Sequence, residues 1–275
     1  MQLASRFAHR SPVLRSNHPL SDDQIRTVAP SIFADTPHES RSERYSYIPT
    51  AAVLTELRKE GFQPFMVCQT RVRQEDRRDY TKHMLRLRHA SQINGAEVNE
   101  IILLNSHDGT SSYQMLAGMF RFVCQNGLVC GDTFADVRVP HKGNVTDHVI
   151  EGAYEVLHGF EQVQDSRDAM RAITLDDGEA EIFARSALVL KYDEPGKTLP
   201  ITESQVLHPR RFDDNLADLW STFNRVQENI VKGGLTGRSA NGRQQRTRHV
   251  QGIDQNVRLN RALWLLAEGL RKLKA

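Results

Sequence analysis

His107 and Asp108 on a predicted turn, Cys124 and Cys130 about a predicted hairpin, and His141 after Pro140 have side chains able to hold a metal or activate a nucleophile. A structural zinc takes four nitrogen or sulfur ligands at regular spacing. This spacing matches no such pattern, and a cysteine pair would need two further ligands. A hydrolytic cysteine needs a thiolate of lowered pKa and an orienting third group, and the sequence identifies neither. His148 with Glu151, and His158 with Glu161, have the helical spacing of di-metal carboxylate sites. The carboxylate-bearing partner helices of those sites are missing. No catalytic residue, metal or cofactor is therefore expected, and an enzyme built on Cys124, Cys130 or His107 ranks behind two binding readings.

Anion binding is the chemistry the residues favour. The stretch from Lys232 to Val250, KGGLTGRSANGRQQRTRHV, carries Lys232, Arg238, Arg243, Arg246 and Arg248 and no carboxylate, whereas the whole chain has a formal charge of only +2. Glycines let backbone N–H groups approach phosphates, and Asn241, Gln244 and Gln245 add hydrogen bonds indifferent to sequence. Gly237 and Gly242 have phosphate-loop spacing, but Arg243 and Gln244 replace the Lys and Ser/Thr that such a loop needs. A second group lies earlier. Strand alternation predicts a sheet face gathering Arg71, Arg73, Arg86 and Arg88, with Arg77, Arg78 and Lys82 in the connecting turn. A solvated sheet face and a soluble linker are the competing explanations for these two groups. Tyr45, Tyr47, Phe120 and Phe122 could stack on bases, although both phenylalanines also suit a core, as do Trp220 and Trp264.

The elements that must position these residues follow from periodicity. Residues 1–45 read as an extended polar arm, with a helical turn after Ser21 and Asp22. Residues 46–275 read as one α+β domain, with a sheet part at about 50–144 and a helical part at about 145–275. Thr50 is the expected N-cap of a helix bearing Val53, Leu54 and Leu57, with Gly61 at its stop. Strand-like runs start near Phe62, Lys82, Glu97 and Ser112. Asn126-Gly127 predicts a two-residue hairpin turn, with a returning strand closed by Pro140. Helices are expected from Val145, from Gly178, for one turn at Thr202, from Asp213 and from Gly252. The fold class is α+β: an antiparallel meander of about five to six strands, preceded by one helix and followed by several helices that cover one sheet face.

A chain of 275 residues with 39% hydrophobic content can bury a substantial core. Its N-terminus has no continuous apolar segment, and no stretch approaches the roughly 20 apolar residues of a membrane span. The three cysteines suit buried thiols in a reducing cytoplasm.

The segments HESRSERYSYIPT, GFQPFMVCQTRVR, KHMLRLR, EIILLNSHDGTSSYQM, FRFVCQNGLVCG, VPHKG, VIEGAYEVL, RVQENIVKGGLTGR and ALWLLAE resemble the domain-of-unknown-function family DUF932, carried by prophages and plasmids. The resemblance implies a mobile-element protein of the bacterial cytoplasm and brings no activity. A second similarity is one of outline: a helix, an antiparallel meander and a helix laid across it resemble the core of Rad52-like annealing proteins. Those proteins form rings that hold single-stranded DNA along a basic groove. Together the readings lead to a homo-oligomeric protein that binds or anneals single-stranded DNA or RNA through the arginine sheet face and the Gly/Arg loop, with no membrane partner. The alternative is an anti-defence or other protein that acts on a host protein.

Overall fold

Short apolar runs from Phe62 onward pair as strands, and because each successive side chain turns to the opposite sheet face they bury both faces of the sheet. The computed structural model describes residues 12–41, 47–72, 74–93, 97–122, 126–130, 137–138, 145–192, 199–239 and 241–275. It divides into two units, Met1–Phe160 and Glu161–Ala275. The first contains strands β1 (Val13–Arg15), β2 (Phe62–Gln69), β3 (His83–His89), β4 (Glu97–Asn105), β5 (Gln114–Arg121), β6 (Asn126–Val129) and β7 (Val137–Arg138). They pair antiparallel in the order β1-β2-β3-β4-β5-β6, and β7 joins β5 at the opposite end from β6. Helices α1 (Asp22–Val28), α2 (Thr50–Lys59) and α3 (Val145–His158) complete the unit. This is the expected α+β meander.

Register sorts the side chains. Met66 lies opposite Arg86 and Val67 opposite Leu85, while Leu103 and Asn105 lie opposite Leu85 and His83. One face therefore carries Val67, Gln69, His83, Leu85, Leu103 and Asn105; the other carries Met66, Cys68, Met84, Arg86, Arg88 and Glu100. Helix α2 lies on the first face, since Thr50 bonds His83. Its Val53, Leu54 and Leu57 are buried as expected, and Gly61 follows at φ +89°, the left-handed stop that glycine adopts most readily. Thr50 is the first helical residue rather than the cap: Pro49 holds that position, and the Thr50 hydroxyl turns inward.

Two further expectations change. The arm is not detached: β1 pairs with β2, Ser21 closes a capping box with Gln24 on α1, and Leu14, Leu20, Ile25 and Ile32 are buried. Asn126-Gly127 is not the turn, because Arg121 faces Asn126 and Phe120 faces Gly127 within the β5–β6 ladder. A Cβ on Gly127 would sit 2.1 Å from Arg86 Nη1, so this glycine makes room for a buried guanidinium. Pro140 falls outside the described residues.

The second unit is built around α7 (Leu219–Lys232), which is buried on almost every side, with α5 (Asp177–Tyr192), α6 (Glu203–Leu207) and α8 (Ile253–Lys274) against it. Trp220 stacks on Phe223 and meets Trp264 edge-on, so both tryptophans belong to the core. Polar residues of α7 are satisfied internally: Gln227 donates to Asn260, and Asn229 to the Val206 and His208 carbonyls. The helix expected from Asp213 starts only at Leu219, capped by Asp218, so Leu216 precedes it and is 61% exposed. A separate helix α4 (Phe160–Ala172) was not foreseen, because its polar run leaves only Phe160, Val163 and Met170 as widely spaced apolar anchors. The expected Gly/Arg loop contains strands β8 (Thr236–Arg238) and β9 (Gln244–Arg246). Among the described residues no helix is long and apolar enough to cross a membrane.

Candidate functional site

The two groups of cations meet opposite fates. On β3, Arg86 and Arg88 point to the same face, as alternation requires, but both are buried. Arg86 Nη1 lies 2.8 Å from one oxygen of Glu100 on β4, and Arg88 Nε lies 2.9 Å from the other. Arg86 also donates to the Leu128 carbonyl at 3.0 Å. The guanidinium of Arg88 stands over the rings of Phe65, Phe120 and Phe122, at 4.3, 4.7 and 5.0 Å from their centroids. Phe65 reaches that position through a bulge between Pro64 and Met66, which adds one residue to β2. The expected open arginine face is thus an internal network. Ion pairing and ring faces offset part of the cost of removing two guanidiniums from water.

Register also separates the arginines that alternation had gathered. Arg86 shares its face with Met66 and Cys68, opposite the face of Val67 and Gln69 that would lead toward Arg71 and Arg73. Strand β2 ends at Gln69; Arg71 is exposed beyond it, and Arg73 lies outside the described residues. Arg77 and Arg78 are exposed on a short turn that also exposes Asp76 and Asp79, and Lys82 is half-buried. Acidic neighbours dilute that group.

The hairpin is different. Thr236 pairs with Arg246, Gly237 with Gln245 and Arg238 with Gln244. Its base is held from one side: Arg238 N–H donates to the Pro200 carbonyl at 3.0 Å, and Gln205 donates to the Thr236 carbonyl at 2.7 Å. A Cβ on Gly237 would sit 1.8 Å from the Pro200 oxygen, so only glycine allows this approach. At the tip Gly242 has φ +72°. Arg238, Arg243, Arg246 and Arg248 are all exposed. Lys232 leaves the group, since it pairs with the buried carboxylate of Glu228 at 2.8 Å, a group also held by Arg211. Arg246 Nε donates to the Gly234 carbonyl while its side chain remains at the surface.

The residues considered for catalysis are placed where they pack. Cys124 and His141 lie outside the described residues; Cys68 and Cys130 are buried thiols outside any disulfide. His107 is fully buried, its ring beside those of Tyr47 and His83. Burial lowers its pKa to about 4, against smaller opposing effects of the Ser31 backbone and Asp108, and neither ring nitrogen makes a well-formed hydrogen bond among the described residues. His148 makes only a surface contact with Glu151 at 3.7 Å. Among the described residues, no group of three His, Cys, Asp or Glu is arranged to hold a metal.

Sequence reading missed one polar chain on the α2 side of the sheet. Asn105 donates to Thr50 Oγ1 at 2.9 Å, Thr50 lies 3.0 Å from His83 Nε2, His83 Nδ1 lies 2.9 Å from Ser31 Oγ, and Ser31 donates to Gln69 Oε1 at 2.9 Å. The proton directions are mutually fixed. Gln69 Oε1 can only accept, so Ser31 gives it its proton and accepts from Nδ1–H, which also faces the Thr81 carbonyl; in the neutral ring Nε2 is then the acceptor, and Thr50, accepting from Asn105, donates to it. His83 therefore does not act as a base on Ser31. All five side chains are buried, and burial drives the His83 pKa well below its usual value. Ser31 and His83 look like a nucleophile and its base, but they form a structural tie. No local signal marks it, because its members come from five separate segments.

These features define an α+β protein in which two buried sheet arginines share one carboxylate and four exposed arginines lie on and beside a hairpin of the second unit. The chain belongs to the family described as Domain of unknown function (DUF932), whose model matches residues 37–264. It is 57% identical over 269 residues to UPF0380 protein YfjQ of Escherichia coli (strain K12), covering 98% of this chain and 97% of that protein. It is 56% identical, with the same coverage, to UPF0380 protein YafZ of the same strain. No solved structure gives a significant match.

Proposed function

We propose that the protein binds single-stranded nucleic acid, DNA or RNA, through its phosphate backbone, and that the β8–β9 hairpin is the contact. The observation that carries this reading is the absence of any carboxylate from Gly233 to Val250, together with exposed Arg238 and Arg246 on a short ladder, exposed Arg243 in its turn and exposed Arg248 just past its end. A rigid hairpin holds cations at fixed spacing, and backbone contact needs charge more than base readout. Arg71, Arg77 and Arg78 supply a weaker, mixed-charge surface in the first unit. Annealing by a homo-oligomer in the bacterial cytoplasm, as the product of a mobile element, completes the proposal. Self-association would multiply a contact that is small in one chain.

Fluorescence anisotropy with an unstructured oligonucleotide tests it. Four phosphate contacts give a log–log salt slope of about −3 on single strands. Binding that is absent, or independent of salt, removes the proposal. Light scattering after size exclusion reads the oligomeric state.

The reading as a host-protein partner has one observation in its favour. Ile182, Val189 and Leu190 are 69%, 41% and 49% exposed on α5, an apolar strip that nucleic acid would not use. Retention of a specific host protein by the wild type, lost in an Ile182→Ser/Leu190→Ser variant that keeps its oligonucleotide affinity, would favour this alternative.

A further inference from the structure

The network around Glu100 is unbalanced. Two guanidinium groups, Arg86 and Arg88, share this one carboxylate. Beside them lies a cavity of about 180 Å³, which Arg15 of the edge strand β1 also lines, with Phe65 and Phe120 as walls and Asn17 exposed at its rim. Arg88 Nη1 is buried without a hydrogen-bond partner among the described residues, although a donor in that position ordinarily has one. Nearby Cys68 does not supply the missing anion. Burial pushes its thiol up to about 12 despite the opposing pull of Arg15 and Arg86, so it stays neutral. Burial and then the proximity of Arg86 lower the pKa of Arg15, as expected where cations crowd together.

We propose that this cavity is a binding site for a phosphoryl oxyanion, held by Arg15, Arg86 and Arg88, with Glu100 fixing the geometry of the last two. Planar guanidinium forks match the oxygens of such a group. The volume is below the roughly 300–1,000 Å³ typical of pockets for drug-sized ligands, so a single oxyanion group fits and a whole nucleotide does not. The phosphoryl group could be free inorganic phosphate or the 5′-terminal phosphate of a strand whose remainder stays outside. The site is in the first unit, and its proposal does not depend on the hairpin reading.

The test is calorimetric titration of the full chain in chloride buffer at constant ionic strength. The probes are inorganic phosphate, a 5′-phosphorylated trinucleotide and its 5′-hydroxyl counterpart. Saturable one-to-one binding of inorganic phosphate alone identifies the free anion as ligand. Tighter binding of the phosphorylated trinucleotide than of the hydroxyl form, by a margin that hairpin substitutions leave intact, identifies a strand end. Arg15→Gln is expected to weaken either interaction by about tenfold or more, the loss of one charge-assisted contact. Asn17→Asp, at the exposed rim and harmless to the interior, should weaken it by repulsion. No saturable binding of phosphate or phosphorylated trinucleotide up to about 10 mM, where a millimolar site would be well filled, overturns the proposal. So does binding unchanged in both variants. Hairpin substitutions should leave phosphate binding intact, so failure of one proposal is distinguishable from failure of the other.

Discussion

Arg86 and Arg88 on one strand, and Arg238 and Arg246 on a hairpin, are the same residue type in the same kind of local structure, yet their environments are opposite. The first two are 2% exposed, share Glu100 and lie against aromatic rings. The second two stand in water on a ladder whose neighbours are Gly, Gln and Thr. Burying a guanidinium forces the fold to supply a counter-charge; exposing it leaves the charge available to a partner. An arginine count therefore reveals little about binding until burial is known.

The largest effect should come from breaking the interior arrangement. Glu100→Gln keeps the volume and leaves two guanidiniums unpaired, which should cost about 3–5 kcal/mol by urea denaturation. A loss below 1 kcal/mol would mean that the pair is not what holds those cations inside.

Acid should reach the interior and spare the hairpin. A histidine whose folded pKa is about 4, against 6.5 when unfolded, binds fewer protons folded than unfolded between those values. Stability is therefore lost as pH falls from 6.5 to 4, by on the order of 3 kcal/mol. His83 shifts in the same direction and adds to this. Unfolding free energies at several pH values should show this limb, and His107→Phe should flatten it. Because arginines do not titrate there, oligonucleotide binding measured above the unfolding range should not follow the same curve.

Glycines sharpen the contrast. Gly127→Ala puts a Cβ against Arg86 and should cost about 1–3 kcal/mol, as overpacking does. Gly242→Ala at the hairpin tip meets open space and bears only the strain of φ +72°, roughly 1 kcal/mol. Equal costs in thermal melts would contradict the close approach at Gly127.

The smallest effect on stability belongs to the hairpin cations. Replacing Arg238, Arg243, Arg246 and Arg248 singly by Ser should change unfolding free energy by less than about 0.5 kcal/mol each. Each replacement should make the salt slope of oligonucleotide binding shallower by roughly 0.7. Unchanged slopes would separate the hairpin from any backbone contact.

Much of the fold was legible because its signals are local. The short apolar runs within Phe62–Gln69 and Gln114–Arg121, the Val53/Leu54/Leu57 stripe and the glycine after α2 each act within a few residues. Local patterns misled where a residue served a distant neighbour. Asn126-Gly127 has the chemistry of a turn, but Gly127 is spent on Arg86, forty-one positions away in sequence. Thr50 could cap a helix and instead bonds His83. The hairpin was legible as a charged, glycine-rich segment, though not as a ladder, since its strands are only Thr236–Arg238 and Gln244–Arg246.

Sequence by itself determined which residues alternate within a strand, because the side-chain period of two is a property of the backbone. It also marked the carboxylate-free stretch beyond α7, because composition needs no partner. Only the tertiary structure decided that Arg86 lies beside Met66 rather than among the residues leading to Arg71, and that Glu100 reaches both Arg86 and Arg88. Register between strands is set by long-range packing, and a slip of one residue exchanges the two faces.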